Sequence, residues 1–164
     1  MKIRNVLFLC TGNSARSLIA EALLNTLGAG RFRAYSAGSH PSGQVQLLAA
    51  DVAVALGYDA TRLRSKSWDE FVASGAPAMD FIITVCDSAA GEACPFWPGH
   101  PVTAHWGVSD PVAVQGDEVA RRSAFRRAAA TLRRRVELLI ALPEARLDGL
   151  AAHASLQVIA KATR

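Results

Sequence analysis

The sequence predicts an α/β protein, in which one domain holds an open, twisted, parallel sheet of about four strands flanked by helices. Four short runs, at residues 3–9, 32–36, 81–86 and 102–106, are predicted strands, and two of them, 3–9 and 81–86, have the nearly continuous apolar sequence of strands buried on both faces. Segments with the helical spacing of apolar residues lie between these runs and after them. Strands that alternate with helices are typical of parallel sheets joined by right-handed crossovers. A chain of 164 residues is long enough for one such domain with a substantial core.

The first strand leads into a short loop and a helix. The loop is Cys10-Thr11-Gly12-Asn13-Ser14-Ala15-Arg16-Ser17, and the helix is predicted from about Ser17 to Leu27. A loop in this position can point backbone N–H groups at a tetrahedral oxyanion, and the helix dipole adds positive charge. Arg16 would bind the oxyanion with its planar guanidinium. The same positive field should lower the pKa of Cys10 and favour a nucleophilic thiolate, although a cysteine at a strand end can also be a small buried hydrophobe.

Two further helices and a tail complete the predicted chain. One helix should run from about Gln44 to Leu56, and a longer one from about Asp117 to Leu142. We therefore place the folded domain at residues 1–142. Residues 143–164 are predicted to form a C-terminal tail or short helix, with any helix running from about Leu150 to Ala160.

Two more cysteines lie at the end of the third predicted strand and beyond it. Cys86 ends that run, so it should lie at the same sheet edge as Cys10, where parallel α/β sheets bind their ligands. Cys94 comes after a segment of small and polar residues that can change shape at little cost. The residues alone leave three interpretations open, namely a redox pair, two inert buried cysteines, or a zinc site with His100 and His105.

Composition limits where the protein can act. No apolar run approaches the roughly 20 residues of a membrane helix, and the first run is too short for the core of a signal peptide. We therefore expect a cytoplasmic protein, whose three cysteines do not form a static disulfide framework.

The charged residues are unevenly distributed. The formal net charge is +4, and residues 117–137 hold seven arginines against three acids. Such a helix could bind nucleic acid or acidic lipid, but no nucleic-acid motif accompanies it. We expect a solvated helix face, no nucleic-acid or membrane partner, and a monomer.

The C-x5-R-S pattern from Cys10 to Ser17, together with the Asp110-Pro111 pair, resembles the motifs of the low-molecular-weight protein tyrosine phosphatase superfamily. Within it the chain is most similar to thioredoxin-coupled arsenate reductases, from the N-terminus to about Leu142. The resemblance implies a low-molecular-weight phosphatase-like fold, with Cys10 as the nucleophile and Asp110 as the acid or base beside it. It also implies an oxyanion-binding loop, made of Thr11, Gly12, Asn13, Ser14, Ala15, Arg16 and Ser17. By itself, Asp110-Pro111 could be a common turn pair.

The segment from Cys86 to Cys94 resembles the redox segment of those reductases, with a spacing one residue longer than their commonest version. The resemblance implies that Cys86 attacks Cys10 and that Cys94 then resolves the disulfide. It implies no tightly bound cofactor, but an external thiol reductant, either thioredoxin or a similar dithiol protein. The predicted function is the reduction of arsenate to arsenite. One alternative is a phosphomonoester phosphatase, which needs neither Cys86 nor Cys94, and another is a non-catalytic oxyanion-binding or redox-sensing module.

The resemblance also implies a potassium ion. Four positions match a potassium site of some relatives: Asn13, Glu21, Ser36 and Asp69. Glu21 could equally be an ordinary helix residue. From the loop itself we expect the Asn13 amide to hold the loop in shape and the Ser17 hydroxyl to hydrogen-bond the Cys10 thiolate.

Overall fold

The computed structural model describes residues 2–92 and 95–163, so Cys94 lies outside the described residues. Its strands and helices, in chain order, are β1 (Arg4–Cys10), α1 (Arg16–Leu27), β2 (Phe32–Gly38), α2 (Leu47–Ala55), β3 (Phe81–Thr84), α3 (Asp87–Gly91), β4 (Val102–His105), α4 (Glu118–Ile140) and α5 (Gly149–Ile159). Short 3-10 turns lie between them at Ala60–Arg62, Trp68–Phe71 and Glu144–Arg146. The strands and the longer helices lie where the sequence predicts them, with ends that differ by a few residues.

The four strands form one parallel sheet in the order β2-β1-β3-β4, which confirms the predicted fold class. The register places Cys10 opposite Gly38 at the end of β2, and Leu9 opposite Thr84 at the end of β3. The carboxyl ends of these three strands therefore meet at one edge of the sheet. Ligands bind outside this edge in open α/β sheets.

Alternate residues of β1 enter two separate cores, which explains why the strand is apolar throughout. Val6 and Phe8 face the core that the sheet forms with α1 and α4. Leu7 and Leu9 face the opposite core, which is closed by three side chains from connecting segments: Phe71, Met79 and Trp97. Because both faces of β1 are covered, the strand fixes the position of Cys10 at its end.

The C-terminal segment packs against the sheet. Helix α5 contacts β4, and its residues Leu156 and Ile159 are buried in the core shared with α1 and α4. The indole Nε1 of Trp106 donates a hydrogen bond to the carbonyl of Leu156 at 3.0 Å. The residues after 142 therefore include a helix that takes part in the main core.

Helix α4 carries the arginine-rich segment. Most of its arginines are exposed, but Arg135 is buried, and burial lowers its pKa. The Arg135 guanidinium donates to the carbonyls of Trp106 and Gly107 at 2.9 and 3.1 Å. It thereby holds the segment that leads from β4 to Asp110. Among residues 2–92 and 95–163, no helix is long and apolar enough to cross a membrane.

The segment after β3 differs from the prediction. The sequence predicts a strand that reaches Cys86 and then a segment of small and polar residues, whereas β3 ends at Thr84 and residues 87–91 form the short helix α3. Cys86 causes the difference because it caps this helix. Its sulfur accepts a hydrogen bond from the N–H group of Ala89 at 3.4 Å. Cysteine is not among the usual capping residues, so the sequence pattern did not indicate a helix here.

Candidate active site

Residues 10–17 connect β1 to α1 as a tight loop at the carboxyl edge of the sheet. The carbonyls of Thr11, Gly12 and Ser14 accept hydrogen bonds from the N–H groups of His40, Ser42 and Gln46 at 2.9, 3.0 and 2.9 Å. In a planar trans peptide, the N–H group of the next residue points away from the carbonyl. The N–H groups of residues 12, 13 and 15 therefore point to the inner side of the loop, as an anion site requires.

A cavity of about 270 Å³ lies on the inner side of the loop. Its lining consists of Cys10, Thr11, Gly12, Ser14, Ala15, Arg16, Cys86, Ser88, Asp110 and Val112. It brings together four side chains that the sequence predicts for catalysis: Cys10, Arg16, Cys86 and Asp110. Asn13 and Ser17 are buried and do not line this cavity.

Arg16 lies at the rim of the cavity, between the loop and the segment that follows β4. Its Nη1 donates to the carbonyl of Val108 at 2.8 Å, and its Nη2 lies 3.6 Å from Oδ2 of Asp110. The other oxygen of Asp110 accepts a hydrogen bond from the N–H group of Val112 at 2.9 Å. The guanidinium and the carboxylate are thus held beside each other at the mouth of the anion loop.

Asn13 fixes the shape of the loop from behind. Its backbone is left-handed, with φ of 46°, a conformation that asparagine tolerates better than most residues. Its Nδ2 donates to Ser17 Oγ at 2.8 Å, and its Oδ1 accepts from the N–H group of Lys66 at 2.9 Å. The amide therefore joins the loop to α1 and to residue 66. The predicted hydrogen bond from Ser17 to the Cys10 thiolate remains a prediction.

Gly38 permits the close contact between β2 and the loop. A Cβ atom at this position would lie 2.4 Å from the carbonyl oxygen of Thr11 and 3.1 Å from the backbone nitrogen of Asn13. Any side chain would therefore push the loop out of place. The sequence shows Gly38 only as one glycine in a loop-like segment, so this requirement was missed.

Cys10 and Cys86 both line the cavity of the anion loop, and both are buried. The neighbouring Cys10 thiol, together with the N–H groups of Ala89 and Thr11, lowers the pKa of Cys86 to about 5. The neighbouring Cys86, together with burial, raises the pKa of Cys10 despite the attraction of Arg16. The prediction of a lowered pKa for Cys10 is therefore wrong for this pair, because it left out Cys86. The two cysteines titrate as a coupled pair.

The lowered pKa of Cys86 predicts how thiolate formation depends on pH. In the Cys94→Ser variant, which keeps only this pair of cysteines, the ultraviolet absorbance of thiolate should rise as the pH increases through about 5. A lowered pKa means that the thiolate is present above that pH and lost below it. Adding Cys10→Ala removes the largest cause of the lowered pKa but keeps the N–H groups of Ala89 and Thr11, so the thiolate should then form only at a higher pH. Absence of thiolate from the first variant at neutral pH would contradict the lowered pKa of Cys86.

The low molecular weight phosphotyrosine protein phosphatase family matches residues 5–149, which include the loop and all the strands except the first residue of β1. The chain belongs to this family. An arsenate reductase of Bacillus subtilis (strain 168) is 33% identical to this family member over 127 residues, which cover 77% of this chain and 88% of that protein.

Solved structures of arsenate reductases have the same fold. The crystal structure of arsenate reductase from Archaeoglobus fulgidus DSM 4304 is 28% identical, with a TM-score of 0.65 over 84% of this chain and 99% of that one. A thioredoxin-dependent arsenate reductase from Corynebacterium glutamicum is 24% identical, with a TM-score of 0.57 over 80% of this chain and 59% of that one. These relatives confirm the resemblance that the sequence motifs indicated.

Glu92 joins the segment after α3 to the anion loop of this phosphatase-family chain. Its Oε1 accepts a hydrogen bond from Thr11 Oγ1 at 2.8 Å. Its Oε2 accepts from Ser39 Oγ and lies 3.3 Å from Nδ1 of His40. The hydrogen bond from Ser39 lowers the pKa of Glu92 and keeps it ionised. Sequence reasoning missed this contact, because one acid between two cysteines is a weak signal.

A lysine lies among the residues matched to a potassium site. Lys66 Nζ donates to Ser36 Oγ at 3.3 Å and lies 3.8 Å from Glu21 Oε1. Asp69, by contrast, is exposed. These residues do not fit a potassium ion as they stand, because an ammonium group already lies beside Ser36 and Glu21. Across the described ranges, no group of three or more His, Cys, Asp or Glu side chains could hold a metal ion.

Proposed function

We propose that this protein is an arsenate reductase that uses Cys10, Cys86 and Cys94 in a disulfide cascade. The observation that carries the proposal is the presence of two buried cysteines, Cys10 and Cys86, in the lining of one cavity on the inner side of the anion loop. A phosphatase resolves its cysteinyl intermediate with water and needs no second thiol beside the nucleophile. A reductase needs one, and the similarity to arsenate reductases supports the same activity here.

In this proposal arsenate binds on the inner side of the loop formed by residues 10–17. The inward N–H groups hold its oxygens, and Arg16 adds a bidentate, charged contact. Arg16 is 14% exposed and lies 3.6 Å from Asp110, so a small rotation of its guanidinium turns it toward the anion. Asp110 lies on one side of the cavity, beside Arg16. A tetrahedral oxyanion bound in the loop would therefore direct one of its oxygens at Asp110.

The first chemical step forms a bond between sulfur and arsenic. Cys10 gives its proton to the neighbouring Cys86, which leaves the thiolate on Cys10. This thiolate attacks arsenic, and one arsenate oxygen leaves as water. Asp110 donates a proton to the leaving oxygen. The N–H group of Val112 orients the Asp110 carboxyl by donating to Oδ1. Oδ2 is then the oxygen that donates the proton to the leaving group.

The next steps transfer two electrons. Cys86 gives the proton that it took from Cys10 to an oxygen of the arsenic adduct, and its thiolate attacks the sulfur of Cys10. The sulfur–arsenic bond breaks with its electron pair going to arsenic. Arsenic(V) becomes arsenic(III), arsenite leaves, and a Cys10–Cys86 disulfide remains. Cys94 then attacks the sulfur of Cys86, which restores the Cys10 thiolate and leaves a Cys86–Cys94 disulfide.

An external dithiol completes the cycle by reducing the Cys86–Cys94 disulfide. We propose thioredoxin or a similar dithiol protein as this reductant, in the reducing cytoplasm. Thioredoxin dependence is a property of the Corynebacterium glutamicum protein, and the likeness to that protein shows the fold alone. The proposed steps use no tightly bound cofactor, and the potassium ion implied by the resemblance takes part in none of them. Every residue they use belongs to one chain, so a monomer suffices.

The deciding experiment follows NADPH oxidation by the full chain with arsenate, thioredoxin and thioredoxin reductase. We expect sustained oxidation that requires arsenate and matches the arsenite released. A parallel reaction with glutaredoxin and glutathione identifies the preferred reductant. If neither system supports turnover but p-nitrophenyl phosphate is hydrolysed, the protein is a phosphatase instead. If the protein binds arsenate but catalyses neither reaction, it is a non-catalytic oxyanion-binding or redox-sensing module.

A further inference from the structure

A buried cation lies directly behind the anion loop. The side chains of Lys66 and Glu21 are 8% and 7% exposed, and their charged atoms are 3.8 Å apart. The Ser36 hydroxyl joins them, because it accepts from Lys66 Nζ at 3.3 Å and donates to Glu21 Oε1 at 2.8 Å. Nζ also donates to the carbonyl of Arg64 at 2.7 Å. A carboxylate, a hydroxyl and a carbonyl therefore surround one ammonium, and hard metal cations bind the same kinds of oxygen.

The backbone of Lys66 connects this cation to the loop. Its N–H group donates to Asn13 Oδ1, and its carbonyl accepts from the N–H group of Gly38, both at 2.9 Å. Asn13 holds the left-handed turn of the loop through Ser17, and Gly38 supports Thr11 from below. A displacement of residue 66 would therefore move both supports of the loop.

We propose that the Lys66 ammonium is a built-in cation that takes the place of potassium behind the anion loop and positions the loop for oxyanion binding. Lys66 does not line the cavity of the loop, so it is a positioning residue rather than a catalytic one. The inference rests on the proposed role of the loop as an oxyanion site. Its consequence is that oxyanion binding by this protein does not depend on potassium.

The residues around Lys66 and Glu21 favour the ammonium group of a lysine over a free metal ion at this position. A second cavity, of about 400 Å³, is lined by Glu21 and Lys66 together with Arg33, Arg62 and Arg64. The guanidinium groups of Arg62 and Arg64 act electrostatically on Glu21. A free metal ion that approached Glu21 through this cavity would meet their repulsion. An ammonium attached to the chain needs no such approach, and the pair of opposite charges is neutral as folded.

The test uses inorganic phosphate, which can occupy an oxyanion site without being reduced. Calorimetry on the reduced parent protein should give the same phosphate Kd in potassium chloride and in tetramethylammonium chloride at equal ionic strength. Lys66→Ala leaves Glu21 unpaired beside an open space, so its Kd should be about 10-fold higher in tetramethylammonium. Potassium fits that space and should restore most of the affinity, whereas the larger tetramethylammonium ion should not.

Two variants distinguish the effect of the Lys66 charge from the effect of the space that its side chain fills. Lys66→Met removes the charge but fills the space, so potassium should not restore its phosphate affinity. Glu21→Gln, added to Lys66→Ala, removes the carboxylate that would bind potassium, so the rescue should disappear. Lys161→Ala replaces an exposed lysine and is the matched control, with the phosphate affinity of the parent in both salts.

Circular dichroism checks that each variant folds in each salt. A Lys66→Ala chain that folds only with potassium supports the proposal. The proposal is overturned if the parent Kd depends on potassium, if Lys66→Ala binds like the parent in tetramethylammonium, or if potassium fails to restore a folded Lys66→Ala chain. If Lys66→Ala unfolds in both salts, potassium dependence of the parent decides the question. A parent that binds no phosphate in either salt would instead overturn the oxyanion role of the loop.

Discussion

Replacement of Cys10 by serine should abolish arsenate reduction and any phosphatase activity together. Both reactions begin with attack by the sulfur of Cys10, which ends β1 and lines the cavity of the anion loop. A serine hydroxyl in its place ionises far less readily and cannot form the disulfide that carries two electrons. We expect rates lower by about 10⁴-fold or more, as when a catalytic nucleophile is removed. Arsenite release with the thioredoxin system and hydrolysis of p-nitrophenyl phosphate measure the two activities.

The same variant should still bind the oxyanion, which makes the result interpretable. The inward N–H groups and Arg16 are unchanged, so calorimetry should give a phosphate Kd close to that of the parent. Lost activity with retained binding would assign the loss to chemistry rather than to a collapsed loop. If either activity persisted above a trace, another group would be the nucleophile, and Cys86 would be the first candidate because it shares the cavity.

The parts of this site that the sequence could predict depend on local order along the chain. Cys10 and Arg16 lie in one short loop, so a strand before them and a helix after them already fix their common position. Cys86 follows another strand of the same parallel sheet, and the carboxyl ends of adjacent parallel strands meet at one edge. The cavity that contains all three follows from these two facts.

The supports of the loop could not be predicted, because they come from distant segments with ordinary local sequences. Gly38 resembles any loop glycine until a Cβ is placed 2.4 Å from the carbonyl oxygen of Thr11. Lys66 stands in a polar segment that gives no sign of burial, and Glu92 is one acid between two cysteines. Their roles depend on three-dimensional contacts with the loop, which neither periodicity nor spacing encodes.

The pKa values of Cys10 and Cys86 could not be predicted from the sequence for a different reason. The positive charge of Arg16 does act on Cys10, as the sequence suggests, and lowers its pKa. The neighbouring Cys86, together with burial, outweighs this effect and raises the pKa of Cys10. A pKa depends on all nearby groups, so the direction could be worked out only after the position of Cys86 beside Cys10 was known. In the proposed mechanism the nucleophile therefore forms by proton transfer within the pair.

Replacement of Cys94 by serine should let the protein reduce arsenate once and then stop. In the proposed cascade, Cys10 and Cys86 alone provide the two electrons of the first turnover, and Cys94 is needed only to reopen their disulfide. We expect about one arsenite per protein molecule, followed by an inactive form with Cys10 joined to Cys86. Single-turnover measurement of arsenite, with mass spectrometry of non-reduced digests, gives both quantities. Any phosphatase activity of the reduced variant should match that of the parent.

Replacement of Cys86 by serine is the matched variant, because it stops the same cascade one step earlier. Cys10 should still attack arsenic, but no thiol beside it can take over its sulfur, so no arsenite should appear with this protein alone. Phosphatase activity should again be retained, since that reaction ends with water rather than with a thiol. The two variants thus differ in arsenite yield while both fail in sustained turnover. Continuous thioredoxin-driven reduction by Cys94→Ser would contradict the resolving role of Cys94. The mechanism would then need only two cysteines, with the external dithiol attacking the Cys10–Cys86 disulfide directly.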